Sequence, residues 1–392
     1  MNPRPRLLVL ASTFPKSASD STPAFVRDLA QQEARSYDTT VLVPAVPGAP
    51  PRERSGALDV RRFRFFPRRW EDLADGAILE NVRTRRSRLL QVPPFVAAEI
   101  LAVRRLVREL RPDVIHVHWL VPQGLAAIIG APGVPKLVTT LGGDLYGLRD
   151  PLSTSLVRAV VSRAGLITAM NEDMRRRIIA LGADPSGVVV QPMGADLRAV
   201  RSVADHQERV PGRLLFVGRL VEKKGLSVLL EALRLIGRDD LELVVVGDGP
   251  LRGELERQAE GLPVSFLGAL PGGSLAEQYG RASISVFPSV PAASGDQDGL
   301  PVALLEAMSA GCAVVVSDLP GLSEAVQDGR SGRVVASGDS GALASALGEL
   351  LSDELTVARL GRGARERSET YSLEGTGRAY VALLDRVRLG RR

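Results

Sequence analysis

Cysteine, histidine and aromatic residues are all scarce in this chain. The single cysteine, Cys312, excludes an internal disulfide and fits a reducing compartment. Its apolar surroundings (AGCAVVVS) place it in a core rather than at a reactive site. Three histidines and one cysteine are too few for a structural metal site. Aromatics at 4% and the lack of a nucleic-acid reading module argue against a nucleic-acid partner. No apolar run approaches the ~20 residues of a membrane span. The opening MNPRPRLLVLAS sets two arginines before five apolar residues. A secretory signal needs an apolar stretch of roughly 7–15 residues, so the run reads as a first buried strand and the expected location is the cytoplasm.

What is present is an ordinary globular composition. The 392 residues are 45% hydrophobic and 24% charged, enough for two domains. Net charge is +5, and the excess is uneven: residues 52–111 hold fifteen arginines against eight acids. Such a surface suits an anionic partner, a membrane face or a lipid phosphate. It also fits a solvated arginine-rich face with no partner.

Short apolar runs alternate with helical patterns. Candidate strands are 7–12, 39–44, 113–118, 136–141, 165–170 and 187–192, then 213–218, 241–247, 264–268, 284–289 and 313–318. Continuous rather than alternating apolar strands imply parallel sheets covered by helices on both faces. The polar stretch VRSVADHQERVPG separates the two series. The reading is therefore α/β, two Rossmann-like doubly wound domains facing across a cleft: 1–200, a linker at 201–212, and 213–370. A last helix at 371–392 has no docking site written in the sequence; packing back on the N-terminal domain is one option. In such sheets a ligand binds at the carboxyl ends of the strands.

Three segments carry chemistry. In GDQDGLPVALLEAMSAGCAVVVSD, a helix is expected from Pro301 to Ser309. Asp298 then lies in the loop before it, and Glu306 more than a turn inside. Both carboxylates are suited to sugar hydroxyls. No side chain caps the helix, so its free N–H groups are available to phosphate or sugar. Water capping and an exposed Glu306 are the plain alternative. In RLLFVGRLVEKKGLSVLLEAL, Arg219, Lys223 and Lys224 sit between a strand ending at Gly218 and a helix opened by Gly225. That arrangement holds phosphate and offsets a diphosphate's charge without a metal. Read plainly, it is a surface loop with three cations. VVVGDGPLRGEL has a dinucleotide-like glycine pattern with the wrong final spacing and reads better as a tight strand-to-helix turn.

The series VGRL-VEKKG, VVVGDGPL, VSFLG, DGLPVALLEAMSAG and GLSEAVQDGRSGRVVASGD resembles the C-terminal half of family 4 glycosyltransferases, which have the GT-B fold. DVIHVHW, TTLGGDLYG, ITAMNEDM and QPMGADL extend the resemblance over nearly the whole chain, and STFPKSASDSTPAFVRDLAQQ is similar to the bacterial surface-polysaccharide subset.

The resemblance implies a retaining enzyme without an obvious protein nucleophile, read as front-face displacement with Asp298 as a covalent nucleophile the lesser alternative, and no metal or other cofactor is expected. It implies a nucleotide-diphosphate sugar as donor and a glycan acceptor; the arginine-rich 52–111 stretch adds the expectation of a lipid-linked acceptor at the inner face of the membrane. It places Glu306 on the donor ribose, Asp298 on the transferred sugar, and Arg219 and Lys224 on the diphosphate. It sets Gly218 and the backbone of Gly299, Leu300 and Pro301 near sugar and phosphates, and the 265–267 segment, with Phe266 and Leu267, at the base.

Two departures stand out. The first acid of the family's pair is Asp298 instead of the usual Glu, and Leu141 occupies the place of a common histidine. His116 and His118 are expected on opposite faces of their strand, with His118 the candidate for the ligand side. Thr22, in a 17–23 loop replacing the usual Gly-Gly, and Asp144 are the other candidate acceptor or sugar contacts.

Rival readings remain at this level. Asp296-Gln297-Asp298 reads D-x-D, a metal-binding pattern of single-domain GT-A transferases. A nucleotide-sugar epimerase shares the two-domain architecture. A catalytically silent nucleotide-sugar-binding subunit or an exported sugar-binding protein would lack turnover.

Overall fold

The computed structural model describes residues 4–16, 24–76, 78–146, 150–238, 240–293 and 295–390. It divides into two compact units, Met1–Gly194 with Leu373–Arg392, and Ala195–Ser372.

The first unit is built on eight strands: β1 (Arg6–Leu10), β2 (Asp38–Pro44), β3 (Arg52–Ser55), β4 (Leu58–Phe63), β5 (Val114–His118), β6 (Lys136–Thr139), β7 (Leu166–Ala169) and β8 (Val188–Val190). Their order is β3-β4-β2-β1-β5-β6-β7-β8, and every pairing is parallel except β3 with β4. Strands such as β1 and β5 are buried almost end to end, as expected for a sheet covered on both faces.

The second unit holds β9 (Val210–Val217), β10 (Glu242–Val246), β11 (Val264–Gly268), β12 (Ala282–Phe287), β13 (Ala313–Ser317) and β14 (Arg333–Val335). Their order is β11-β10-β9-β12-β13-β14, all parallel. This is the 3-2-1-4-5-6 order of a Rossmann sheet, and the strand order reverses between β9 and β12. One apolar cluster, with Leu304, Leu305 and Met308, covers one face, and another, with Leu229, Leu230 and Leu347, covers the other.

The linker expected at 201–212 is not a linker. The helix Leu197–Ala204 runs into it from one side and β9 enters it at Val210 from the other. Pro211 and Gly212 form an irregularity inside β9, where its register against β12 shifts, and Gly212 has φ +74°. Pro-Gly here bends a strand instead of ending a domain. The C-terminal helix Leu373–Arg388 docks on the first unit, placing Tyr380 and Leu384 in its core. No helix among the described residues is long and apolar enough to cross a membrane.

Candidate functional site

The strand order reverses between β9 and β12, and in open α/β sheets ligands bind outside the strands' carboxyl ends at such a reversal. Two loops meet there. The 218–225 loop follows β9, and the 288–301 loop follows β12. Glycines let them approach. Gly225 has φ +64°, and a Cβ on it would lie 1.8 Å from Pro288 O. A Cβ on Gly247 would lie 2.0 Å from Gly218 O, so the VVVGDG turn is a backbone packing device against the first loop. Leu220 N donates to Asp248 O at 2.9 Å, and Val290 N donates to Lys223 O at 2.9 Å.

Across this seam the lysines meet the acids. Lys224 Nζ donates to Asp298 Oδ2 at 2.9 Å, and Ser289 Oγ donates to the same oxygen at 2.8 Å. Lys223 Nζ donates to Asp296 Oδ2 at 3.0 Å and stands 3.9 Å from Asp298 Oδ1. Asp298 is only 7% exposed. Burial by itself would raise its pKa, but the charges of Lys224 and Lys223, with hydrogen bonds from Lys224 and Ser289, outweigh it and hold the carboxyl below its usual range. Asp298 is thus a buried anion beside two cations. Gly218 borders the Lys224 stem, whose Cδ lies 3.4 Å from where a Cβ on it would be, and Arg219 next to it is exposed. Among the described residues no group of three or more His, Cys, Asp or Glu is placed to hold a metal ion.

The helix expected from Pro301 begins one residue later, at Val302–Ser309, with Pro301 as its N-cap in extended conformation and no side-chain cap. Gly299 and Leu300 lead into it, so the amino end of the helix opens beside Asp298. Glu306 is its fifth residue and partly buried. Burial raises its pKa, and a hydrogen bond from Tyr279 Oη at 3.0 Å offsets part of that rise. Gly311, at φ +78°, follows the helix. On the edge strand β11, Phe266 packs toward the core, while Leu267 is 43% exposed. Val245 and Val246 pair with Phe266 and Gly268, so Leu267 is the extra residue of a bulge that turns its side chain outward.

In the first unit the strand order reverses between β1 and β5. Thr22 lies outside the described residues. His116 and His118 do not point to opposite faces. Residues two apart in a strand share a face, and the two rings stand 4.3 Å apart. Both are fully buried. His116 Nδ1 is 2.6 Å from Glu33 Oε1, and its Nε2 is 2.8 Å from Thr139 Oγ1. Burial pushes His116 down to about 3 and Glu33 well up, disfavouring the charged form of each partner. Burial, with His116 alongside, pushes His118 far below its ordinary value, and neither of its ring nitrogens has a hydrogen-bond partner.

Asp144 accepts from Leu120 N at 2.6 Å and Thr140 Oγ1 at 2.7 Å. It anchors the turn after β5, where Trp119 has φ +75°, an unusual conformation for a residue with a side chain. Leu141 packs against the core of this unit.

Sequence reasoning singled out neither Tyr279 nor Ser289. Ser289 closes the run ISVFPS, and a hydroxyl ending a buried strand was the available signal. Nothing in the sequence pairs Tyr279 with Glu306, 27 residues on.

Residues 211–353 match the family model described as "Glycosyl transferases group 1", and residues 22–194 match "Glycosyl transferase 4-like domain". The chain is 33% identical over 229 residues to the amylovoran biosynthesis glycosyltransferase AmsK of Erwinia amylovora, covering 57% of this chain and 56% of that one. It is 34% identical over 300 residues to the phosphatidyl-myo-inositol mannosyltransferase of Mycobacterium leprae, covering 72% and 75%. The match thus spans little more than half the length of AmsK.

The fold is similar to that of sucrose-phosphate synthase from Thermosynechococcus elongatus, with TM-score 0.80, 20% identity and coverage of 99% and 100%. It is also similar to that of Anabaena HepE in complex with UDP-glucose, with TM-score 0.68, 18% identity and coverage of 97% and 99%.

Proposed function

Because the chain belongs to the GT-B glycosyltransferases defined by the group 1 and 4-like models, we propose that it moves a sugar from a nucleotide-diphosphate sugar to an acceptor hydroxyl with retention, in polysaccharide or glycolipid synthesis. The observation that carries this reading is the Lys224–Asp298 pair beside an uncapped helix start, at the switch point of the second sheet. It supplies cations for a diphosphate and an anion for sugar hydroxyls within one crevice. The UDP-glucose held by HepE is the kind of donor such a crevice would take.

In this reading Lys224, Arg219 and the helix amino end stabilise the charge that collects on the departing diphosphate. The acceptor hydroxyl attacks on the face the diphosphate leaves, and a phosphate oxygen takes its proton. Asp298 orients the transferred sugar, and Glu306 receives the ribose hydroxyls. The 265–267 backbone meets the base. The D-x-D acids are each neutralised by a lysine ammonium, which favours metal-independent transfer over the GT-A alternative. No observation favours the epimerase reading, and the two relatives named above are transferases.

The first unit's arginines support a lipid-linked acceptor at an anionic membrane. Arg52, Arg61, Arg64 and Arg105 rim a groove of about 680 Å³ whose walls include Phe63, Leu101 and Leu106. Leu101 is 63% and Leu90 75% exposed, and the Arg69 guanidinium stacks 3.9 Å over exposed Trp70. Basic groups mixed with exposed apolar ones suit a headgroup layer.

The test is transfer from UDP-, GDP- and ADP-sugars to a lipid-extract acceptor with and without chelator, reading the product's anomeric configuration by NMR. Chelator-resistant transfer with retention is expected. Inversion, or loss of transfer on chelation, contradicts the proposal, and binding without turnover makes the chain a silent subunit.

A further inference from the structure

We propose that Tyr279 is a positioning residue for the donor: its buried hydroxyl fixes the Glu306 carboxylate in the orientation that receives the ribose. This rests on the reading of Glu306 as the ribose ligand.

Tyr279 lies on the helix Gly272–Arg281, and its side chain is fully buried in the core cluster that also holds Leu304, Leu305 and Met308. A buried phenol needs a hydrogen-bond partner, and this one finds Glu306 Oε2 at 3.0 Å. The other carboxylate oxygen is left for a ligand. The tyrosine's own place is fixed from its backbone. Cys312 Sγ donates to Tyr279 O at 3.1 Å. The neighbouring Gly280 sits so close to the helix Leu197–Ala204 that a Cβ would lie 2.8 Å from Ala204 Cα. Arg209 donates to Ala282 O, just beyond the tyrosine's helix, and to Ala310 O, at the end of the glutamate's helix. One guanidinium therefore ties together the two helix ends whose side chains meet at the hydroxyl. A glutamate on a helix surface would otherwise wander among rotamers, and ordering it would weaken ligand binding.

The group acting on the Glu306 charge is Tyr279. Arg209 and Arg365 face the carboxyl end of the same helix, at Ala310 and Gly311, and Arg365 is paired with Asp205. Cys312 touches Tyr279 rather than Glu306.

The experiment is calorimetric titration of UDP, GDP and ADP into wild type, Tyr279→Phe, Glu306→Gln and the double variant, across pH, with melting temperatures alongside. Phenylalanine keeps the ring and removes the donor. For the nucleotide that wild type binds, Kd should rise about tenfold in Tyr279→Phe, the size of a hydrogen bond to a charged group. Steady-state kinetics with the corresponding sugar donor should show the loss in KM with kcat nearly unchanged. The acid limb of binding should move to higher pH, because the ionised carboxylate has lost a donor. Tyr279→Phe should change nothing further in the Glu306→Gln background. Glu306→Asp, which withdraws the carboxylate at constant charge, should weaken binding likewise. A lowered melting temperature with Kd and the acid limb unmoved would show Tyr279 to be core packing only, and the proposal falls alone. Should Glu306→Gln itself bind as wild type does, the ribose reading and this inference fall together.

Discussion

Glu33, Glu99 and Asp144 in the first unit and Asp298 in the second are all buried carboxylates, and their surroundings act on them in opposite ways. In the first, burial raises Glu33, Glu99 and Asp144 above their ordinary values, Glu99 to about 8. These acids are kept neutral or tied to the local backbone, which is how a core tolerates a carboxyl. In the second, Asp298 is also buried yet held below its ordinary value by Lys224 and Lys223. A core has no need of a buried anion flanked by two cations. Such an arrangement is found where charge is to be handled. Glu306 lies between the two patterns, raised by burial and eased by Tyr279. On the function proposed above, the contrast separates acids that hold the scaffold from acids presented to a ligand.

The largest effect should come from breaking the charged pattern. Lys224→Ala leaves Asp298 with Lys223 at 3.9 Å and Ser289 as its remaining partners. Transfer should fall by ~10²–10³ in steady-state assays, the loss of one transition-state charge stabiliser. A fall smaller than tenfold would place the diphosphate elsewhere.

Next come the opposite pH dependences. Glu99 titrates at about 8 in the fold against 4.5 ordinarily, so its contribution is whole below about 4.5 and is lost as pH rises through about 8. Urea unfolding of Glu99→Gln and wild type should therefore diverge in the variant's favour toward alkaline pH. Asp298 is lowered, so the stability it lends is present above its ordinary 3.8 and disappears as pH falls through its depressed value. Asp298→Asn should flatten the acid side only. Parallel profiles in the two experiments would erase the contrast.

A smaller effect is expected from His116→Leu. It removes the two buried hydrogen bonds that His116 shares with Glu33 and Thr139, and should cost about 1–3 kcal/mol. Melting should fall with nucleotide Kd unchanged. The smallest effect concerns the arginine surface. Arg104 and Arg108 are exposed beside Leu101 and Arg105; Arg104→Gln with Arg108→Gln should weaken binding to anionic vesicles by about 1 kcal/mol each, and the difference should fade as salt rises.

Much of this was legible because the strands are buried on both faces. Eleven apolar runs are strands to within a few residues, from β1 to β13. The three that were missed are edge strands or their neighbour: β3 (RERS) and β4 (LDVRRF) are too arginine-rich to read as buried, and β14 has only three residues. They carry polar side chains because only part of each is covered. Pro211-Gly212 looked like a boundary since its bend is the same whether it ends a strand or bulges one. At the candidate site, motif spacing singled out Asp298, Glu306 and Lys224, and the structure brings Lys224 and Asp298 into contact. Tyr279 and Ser289 were not, because their roles come from tertiary pairing between elements. The histidine error was one of strand geometry: Thr139 and Glu33 hold His116 on the face it shares with His118.

The central claim is that the crevice between β9 and β12 binds a nucleotide-diphosphate sugar through Glu306 and the Lys224–Asp298 pair. Calorimetric titration of UDP-, GDP- and ADP-sugars into wild type and Glu306→Ala, with chelator present, tests it most directly. Saturable binding of one nucleotide class by wild type, weakened about tenfold or more in the variant, is the predicted result. Binding that is equal in both proteins, or no binding of any donor, contradicts it.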